Sequence, residues 1–281
     1  MEAILVMGPA GSGKSTFCKA MKLFLNGFRK DACVLNLDPA NDHLPYEADI
    51  DICELITLED ACEATELGPN GGLIYCMEFI YKNLNWLITK LLQYKDTLII
   101  IDCPGQIELF TQHPIFNDIL KETLEKCDMK CVAINLIDSN LCTQPHTFIA
   151  ACLMSLSSMT HLELPHLNVL SKIDLLQNFH SEMRFSLEFF TDVSEISKMI
   201  SQQDFVFNQK MAKISLKLAE VIEDFSLVTF QLLSVNDPDT MLALVKQIER
   251  ALGSNFYYVE GFRESLVSER VASIEEKYCN M

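Results

Sequence analysis

A glycine-rich stretch lies between the first apolar run of the chain and its first helical pattern. It spans Gly8–Thr16 (GPAGSGKST) and matches the spacing G-x-x-x-x-G-K-[ST]. Glycine is needed where backbone N–H groups turn inward around a phosphate, because a Cβ would obstruct the approach. In such a loop Lys14 supplies a charge to the β- and γ-phosphates, Ser15 offers a hydroxyl to Mg²⁺, and Thr16 offers one to the α-phosphate. The pattern predicts a phosphate-binding loop, or P-loop, with the contact residues Gly8, Gly11, Ser12, Gly13, Lys14, Ser15 and Thr16.

An aspartate ends a later apolar run, Leu98–Asp102, and Gly105 follows it three residues on. A carboxylate at the carboxyl end of a strand beside a P-loop holds Mg²⁺, usually through a water molecule. Glycine at that spacing lets its N–H reach the γ-phosphate, so that the loop senses this group. We therefore expect Asp102 and Ser15 to hold a metal ion, and Gln106 to orient a water molecule.

A second acid follows another apolar run, in the segment Asn36–Ala40 (NLDPA). One interpretation is that Asp38 approaches the γ-phosphate and polarises the attacking water. The other is that Asp38 caps the following turn, as aspartate before proline often does. The residues alone leave both alternatives open.

The segment Ser171-Lys172-Ile173-Asp174 follows a further apolar run, where P-loop GTPases place the loop that contacts the base. A carboxylate that accepts from N1 and N2 of guanine distinguishes guanine from adenine, because adenine lacks both donors. The segment therefore predicts that Lys172 and Asp174 contact a guanine nucleotide. The usual first residue of this motif is asparagine, and Ser171 departs from it.

Short apolar runs alternate with longer helical patterns along the chain. The predicted strands are Ala3–Met7, Ala32–Leu37, Thr97–Asp102, Lys130–Ile137, His166–Ser171 and Leu227–Leu233. The predicted helices are Lys14–Arg29, Met77–Tyr94, Pro114–Cys127, Thr147–His161 and a last one that Asp237 caps and that ends near Gly253. Near-continuous apolar strands between helices are typical of a sheet covered on both faces. The fold class predicted is α/β, a P-loop NTPase with a doubly wound, mainly parallel sheet and helical insertions.

The stretch 179–225 interrupts this alternation, because it is long, helix-prone and of mixed polarity. It is either a helical insertion that forms a lid or partner surface, or plain helical packing. We predict one P-loop domain over residues 1–253 that contains this insertion, and a tail or peripheral helix over residues 254–281.

Composition limits the partners. Lys and Arg total 22 and Asp and Glu total 39, so that the formal net charge is −17. Direct binding of nucleic acid needs a concentrated basic face, and we expect none. The acidity suits basic protein partners or simply a solvated surface.

Neither a secretion signal nor a membrane span is apparent in the sequence. The first seven residues carry an acid where a signal peptide needs positive charge, and no apolar run approaches the length of a span. The 11 cysteines show no regular framework, which fits a reducing compartment and gives no zinc site. We expect a cytoplasmic protein that does not associate with membranes.

Taken together, these motifs resemble the GPN-loop GTPases. The resemblance is carried by Gly8–Thr16, Asn36–Ala40, Gly68–Asn70, Asp102–Gln106 and Ser171–Asp174, and it spans most of the chain. Within the family, the stretches Gly68–Glu78 (GPNGGLIYCME) and Asp102–Leu109 (DCPGQIEL) look most similar to the third of three eukaryotic paralogues.

The resemblance implies a dimer in which the Gly68-Pro69-Asn70 loop reaches into the site of the partner. Asn70 would then act in trans near the γ-phosphate, and Asp38 would activate the water. Gln106 and Glu108 would support the water and the interface, and Ser234 would lie on the guanine side. The family further implies GTP or GDP with Mg²⁺, a homodimer or a heterodimer with a paralogue, assembly of RNA polymerase II with its subunits or assembly factors, and shuttling to the nucleus.

Two other functions are compatible with the sequence. A small-molecule kinase would use the P-loop to phosphorylate a metabolite, but such enzymes place several basic residues over the acceptor. The chain has five arginines, and none lies between Asp31 and Leu170. A nucleotide-gated chaperone clamp with little turnover would use the stretch 179–225 as its client surface.

Overall fold

The structure is a computed structural model that describes residues 1–28, 30–41, 43–176, 185, 187–200, 209–225 and 228–254. It contains a seven-stranded sheet in the order β3-β2-β4-β1-β5-β6-β7. The strands are β1 (Glu2–Met7), β2 (Ala32–Asn36), β3 (Ile50–Asp51), β4 (Leu98–Asp102), β5 (Lys130–Asp138), β6 (His166–Ser171) and β7 (Phe230–Leu232). Every strand pairing in this sheet is parallel. The predicted α/β class with a doubly wound sheet is confirmed.

Helices connect the strands. They are α1 (Lys14–Gly27), α2 (Leu58–Thr65), α3 (Pro69–Lys82), α4 (Leu84–Leu91), α5 (Glu108–Thr111), α6 (Pro114–Cys127), α7 (Pro145–Leu162), α8 (Leu187–Thr191), α9 (Gln209–Phe225) and α10 (Pro238–Leu252). Proline in the first turn favours the starts of α3, α6, α7 and α10, because its missing N–H would have no partner there. Among the described residues, no helix combines the length and the apolarity needed to cross a membrane.

Both faces of the sheet are covered, because successive strand residues point to opposite sides. On one face, alternate residues of β1 such as Leu5 pack with α3, α4 and α6. On the other face, Ile4 and Val6 pack with α1 and α10. A third cluster joins α7, α8 and α9 to the β6–β7 side of the sheet. The helices therefore hold the central strands rigidly from both sides.

Some element predictions were wrong in detail. The strand β3 was not predicted, since its two residues, Ile50–Asp51, carry no recognisable pattern. The predicted helix Met77–Tyr94 is two helices, because Asn83 leaves the helical conformation with φ −110° and ψ 25°. The last strand is shorter than predicted, Phe230–Leu232. The Gly68-Pro69-Asn70 segment, which the resemblance implies is a loop, forms the N-cap and the first turn of α3.

The described part of the predicted insertion is helical and lies between β6 and β7. It comprises α8, the 3-10 segment Val193–Met199 and α9. Residues 179–184, 186 and 201–208 of the stretch lie outside the described residues, as do residues 255–281 of the predicted tail. The division into one domain and a tail stays a prediction.

Candidate functional site

The candidate site lies where the parallel strands end, because their carboxyl ends share one edge of the sheet. The register places Asp102 of β4 beside Val6 of β1 and Asn36 of β2. On the other side of β1, Asp138 at the end of β5 pairs with Ser171 at the end of β6. The loops that carry the predicted motifs therefore start from neighbouring strands.

The loop from β1 to α1 has the backbone that the sequence predicts. Gly8, Gly11 and Gly13 adopt φ values of 142°, 80° and 94°, which side chains disfavour. A Cβ on Gly8 would lie 2.2 Å from the carbonyl oxygen of Leu136, so that this position excludes any side chain. The loop ends at the N-terminus of α1, where free N–H groups and the helix dipole favour an anion.

Lys14 is buried at the centre of this loop, with 8% of its surface exposed, and its Nζ donates to the carbonyl oxygen of Pro9 at 3.2 Å. Burial lowers the pKa of Lys14, and the negative charge of Asp102 opposes this shift. A Cβ on Gly105 would lie 3.3 Å from Nζ of Lys14 and 3.2 Å from Cα of Ala10. The loop after β4 therefore passes directly over the P-loop.

Asp102 has one carboxylate oxygen engaged and one free. Its side chain is 1% exposed, and Oδ2 accepts a hydrogen bond of 2.7 Å from the hydroxyl of Tyr46. Among the described residues, Oδ1 is buried without a hydrogen-bond partner. Burial raises the pKa of Asp102, and the neighbouring hydroxyls of Tyr46 and Ser15 together with the charge of Lys14 oppose the rise. An unpartnered carboxylate oxygen beside a serine hydroxyl is the oxygen donor set that Mg²⁺ prefers.

Asp38 occupies the loop that follows β2. Its Oδ1 accepts from the backbone N–H of Ala40 at 3.0 Å, so that the expected turn-capping contact is present. The buried side chain of Asn36 fixes the backbone of Asp38: its Oδ1 accepts from the N–H of Asp38 at 3.1 Å. Burial raises the pKa of Asp38, and the nearby charge of Lys14 opposes the rise. The cap uses only Oδ1 of Asp38, which leaves Oδ2 for a contact with a water molecule.

Asn70 and Gln106 meet within one chain. Oδ1 of Asn70 accepts from Nε2 of Gln106 at 3.0 Å, between the first turn of α3 and the loop after β4. Asn70 is exposed, as is Glu108, which begins α5. The structure therefore groups three of the four residues predicted to be catalytic along one solvent-facing rim.

The base-contacting loop is tied to the P-loop. The hydroxyl of Ser171 lies 2.8 Å from the carbonyl oxygen of Ser12, and Nζ of Lys172 lies 2.5 Å from that of Gly11. Lys172 also pairs with Asp138 at 2.8 Å. Asp174 follows in a half-buried turn. Serine in place of asparagine thus retains a short contact to the P-loop.

Two further predicted nucleotide-contacting residues, Thr16 and Ser234, lie next to the P-loop and the base-contacting loop respectively. Thr16 is exposed in the first turn of α1. Ser234 is buried just after β7, and its N–H and carbonyl are both bonded to the hydroxyl of Thr240. The neighbouring Leu233 accepts from the N–H of Ile173 at 3.3 Å, which places Ser234 beside the base-contacting loop.

Sequence reasoning missed Tyr46 and Asn41. The first bonds Asp102, and Nδ2 of Asn41 lies 3.4 Å from Oγ of Ser15. Neither residue belongs to a motif, and the pairs are separated by 56 and 26 positions in sequence.

A phosphate cradle, a buried lysine and a strand-end carboxylate on a doubly wound sheet define a P-loop NTPase.

Comparison with known proteins identifies the family to which this P-loop NTPase belongs. Residues 6–254 match a family described as conserved hypothetical ATP-binding proteins. GPN-loop GTPase QQT1 of Arabidopsis thaliana is 42% identical over 98% of this chain and 96% of its own length. GPN-loop GTPase 2 of Danio rerio is 42% identical over 90% of this chain and 81% of its own length, and that of Saccharomyces cerevisiae is 38% identical over 90% and 75%. This chain belongs to the GPN-loop GTPases.

A solved structure agrees with the fold. The apo form of a GTPase from Pyrococcus abyssi superimposes with a TM-score of 0.74, covering 89% of this chain and 97% of that one. Its sequence identity is 21%, so that the likeness concerns the fold alone.

Proposed function

We propose that this chain is a Mg²⁺-dependent GTPase that works as a nucleotide-gated dimer. The observation that carries the proposal is the direct attachment of the base-contacting loop to the P-loop. Nζ of Lys172 donates to the carbonyl oxygen of Gly11 at 2.5 Å, so the loop that holds Asp174 is attached to the phosphate cradle. The names of the GPN-loop relatives support GTP as the substrate.

The phosphate end of the site supports hydrolysis. Lys14 and the N-terminus of α1 would hold the triphosphate, and Ser15 and Asp102 would hold Mg²⁺. When bound, the ion would neutralise the negative charge that develops on the transferred phosphoryl group. Asp38, Gln106 and Gly105 lie around the same point, where an attacking water must be oriented and the γ-phosphate contacted.

The rim formed by Asn70, Gln106 and Glu108 supports action across a dimer. Asn70 is exposed and already bonded to Gln106, so the two present one polar surface outward. In the proposed dimer, Asn70 of each chain completes the site of the other. Hydrolysis would release the loops after Asp38 and Asp102 and open the dimer.

The wider role rests on the family resemblance. We propose that the dimer is formed with a second copy or a paralogue, that it acts in the assembly of RNA polymerase II in the cytoplasm, and that it accompanies that enzyme to the nucleus. Assignment to the third paralogue depends on the two short stretches 68–78 and 102–109. The relatives named above give it no support, since two of them carry the name of the second.

A nucleotide-gated clamp is a second candidate. Ile214 and Val221 of α9 are 53% and 44% exposed, and their spacing of seven residues places them on one face of the helix. Under this alternative, GTP binding changes the shape of the chain and hydrolysis is slow. The measured rate of free phosphate release separates it from the GTPase proposal, and formation of a phosphorylated metabolite would instead indicate a kinase.

The test of the proposed function is base preference. We expect calorimetric titration with Mg²⁺ present to show tighter binding of a non-hydrolysable GTP analogue than of its ATP counterpart. Asp174→Asn should weaken the GTP analogue at least about 10-fold, because guanine loses the acceptor for its N1 and N2 donors. The same variant should gain affinity for xanthine nucleotides, since an asparagine amide can donate to the carbonyl that replaces the guanine amino group.

Asp96→Asn is the matched control, because Asp96 is exposed and lies outside the site. It should bind the analogues like the unmodified chain. Equal affinity of the unmodified chain for GTP and ATP analogues, or binding indifferent to Mg²⁺, would contradict the proposal.

A further inference from the structure

Two residues of the loop between β2 and β3, Asn41 and Tyr46, contact the proposed metal-binding residues. Neither belongs to a predicted motif. We propose that Tyr46 is a positioning residue for Asp102: its hydroxyl holds Oδ2 and thereby points Oδ1 at the metal position beside Ser15. This inference rests on the proposed function, because it concerns the residues that would hold Mg²⁺ there.

The two oxygens of Asp102 are used differently. Oδ2 accepts the 2.7 Å hydrogen bond from Tyr46, whereas Oδ1 is buried without a hydrogen-bond partner among the described residues. A carboxylate held at one oxygen has lost the rotation that would exchange the two. Since the side chain is 1% exposed, water cannot freely replace the tyrosine hydroxyl as donor.

Tyr46 is itself held in place. Its ring packs, half-buried, against the apolar cluster that contains Cys18 and Val34. The loop is anchored just after it, where Oδ2 of Asp49 accepts from the N–H of Val34 at 2.7 Å and from Lys22 at 2.6 Å. The hydroxyl therefore has a defined position relative to β4, as a group that orients another must have.

The same loop also reaches the other proposed ligand. Nδ2 of Asn41 lies 3.4 Å from Oγ of Ser15, so that one segment contacts both metal-binding side chains. Partners that hydrogen-bond to metal ligands fix ligand orientation, and their loss typically costs about 10- to 100-fold in metal affinity. The contact of Tyr46 is the shorter of the two and is made to the charged ligand, so it should carry most of this effect.

The test is Tyr46→Phe, which removes one oxygen and keeps the ring that packs against the core. The rate at which a fluorescent GDP analogue leaves the full chain is measured over a range of free Mg²⁺ concentrations and in excess chelator. We expect the Mg²⁺ concentration for half-maximal retention to rise about 10-fold. The dissociation rate in chelator should not change, because the P-loop and the base-contacting loop are untouched.

Tyr81→Phe is the matched control. It removes a comparable hydrogen bond, from the hydroxyl of Tyr81 near the end of α3 to Oε1 of Glu122 in α6 at 2.6 Å. This variant should retain the Mg²⁺ dependence of the unmodified chain, and the thermal midpoints of both variants are compared to confirm equal folding.

The outcomes separate the inference from the proposed function. If Tyr46→Phe retains the normal Mg²⁺ midpoint, or loses nucleotide equally with and without Mg²⁺, then Tyr46 does not position Asp102. That result would contradict this inference and leave the proposed function unaffected. If the unmodified chain retains GDP or a GTP analogue no better with Mg²⁺ than in chelator, the proposed function itself fails.

Discussion

At the scale of single residues, the site places charge where burial opposes it. Burial lowers the pKa of Lys14 and raises the pKa values of Asp38 and Asp102, so each group is shifted against its charged form. A triphosphate and a cation would supply the opposite charges that these groups need. Holding these charged groups in a buried position costs stability, which is the usual relation between stability and function at a binding centre.

Asn70 allows the catalytic proposal to be tested at one side chain. We expect Asn70→Ala to leave the affinity for a GTP analogue nearly unchanged and to slow GTP turnover about 10- to 100-fold, since the amide would act mainly where charge develops at the γ-phosphate. Loss of the hydrogen bond to Gln106 alone would cost about 1 kcal/mol, roughly a fivefold effect. Single-turnover phosphate release and calorimetry measure the two quantities.

Asn85→Ala serves as the control, because Asn85 is exposed on α4. Normal turnover of Asn70→Ala, with dimerisation intact, would remove Asn70 from the mechanism.

At the scale of elements, local patterns predicted what is locally determined. The P-loop was recognisable because its glycines, lysine and hydroxyl group lie within Gly8–Thr16, and the strands because their residues are apolar in sequence. The short strand β3 was not, since its two residues pair with Leu35 and Asn36 through contacts made only in the folded chain. The helix break at Asn83 was equally hidden within an apolar run.

Long-range contacts explain the rest of what was missed. Ser171 could be placed after its strand, but its contact with Ser12 spans 159 positions and follows from the neighbouring ends of β1, β5 and β6. Tyr46 and Asp102 likewise meet only because the β2–β3 loop folds back over β4. Motifs in the sequence identify residues that contact a ligand, whereas residues that hold them in place carry no such pattern.

The start of β6 gives a prediction about pH. Burial lowers the pKa of His166 to about 4. In the unfolded chain this side chain is protonated near pH 6.5, whereas in the folded chain it stays neutral until the pH falls to about 4. Stability from this residue is therefore complete above about pH 6.5 and is lost as pH falls towards about 4. Between about pH 7.5 and pH 5 the loss should be about 2 kcal/mol.

The measurement compares denaturant unfolding of the unmodified chain and His166→Gln at the two pH values. We expect the variant to lose less stability on acidification, because glutamine does not titrate. His146→Gln, at an exposed position of α7, should behave like the unmodified chain. An identical acid response of His166→Gln would show that another group is responsible.

At the scale of the whole molecule, the proposed dimer would join two strongly acidic chains. Each carries a formal net charge of −17, so long-range repulsion opposes association and salt screens it. A close interface then needs apolar contact as well as the polar rim of Asn70 and Gln106. In the proposed dimer, Leu67 would supply this apolar contact, because it is 45% exposed immediately before Gly68.

The last prediction concerns this residue. Burial of Leu67 in each half of a two-fold interface would contribute about 1.5–3 kcal/mol per chain, so we expect Leu67→Asp to weaken the dimer at least about 10-fold. Light scattering with a GTP analogue and Mg²⁺ should give twice the chain mass of 31.9 kDa for the unmodified chain and mostly the single mass for the variant. Nucleotide affinity should change little, because Leu67 lies outside the P-loop. Leu92→Asp, at a residue 37% exposed after α4, is the control. A Leu67→Asp chain that still doubles its mass at the same concentration would place the interface elsewhere.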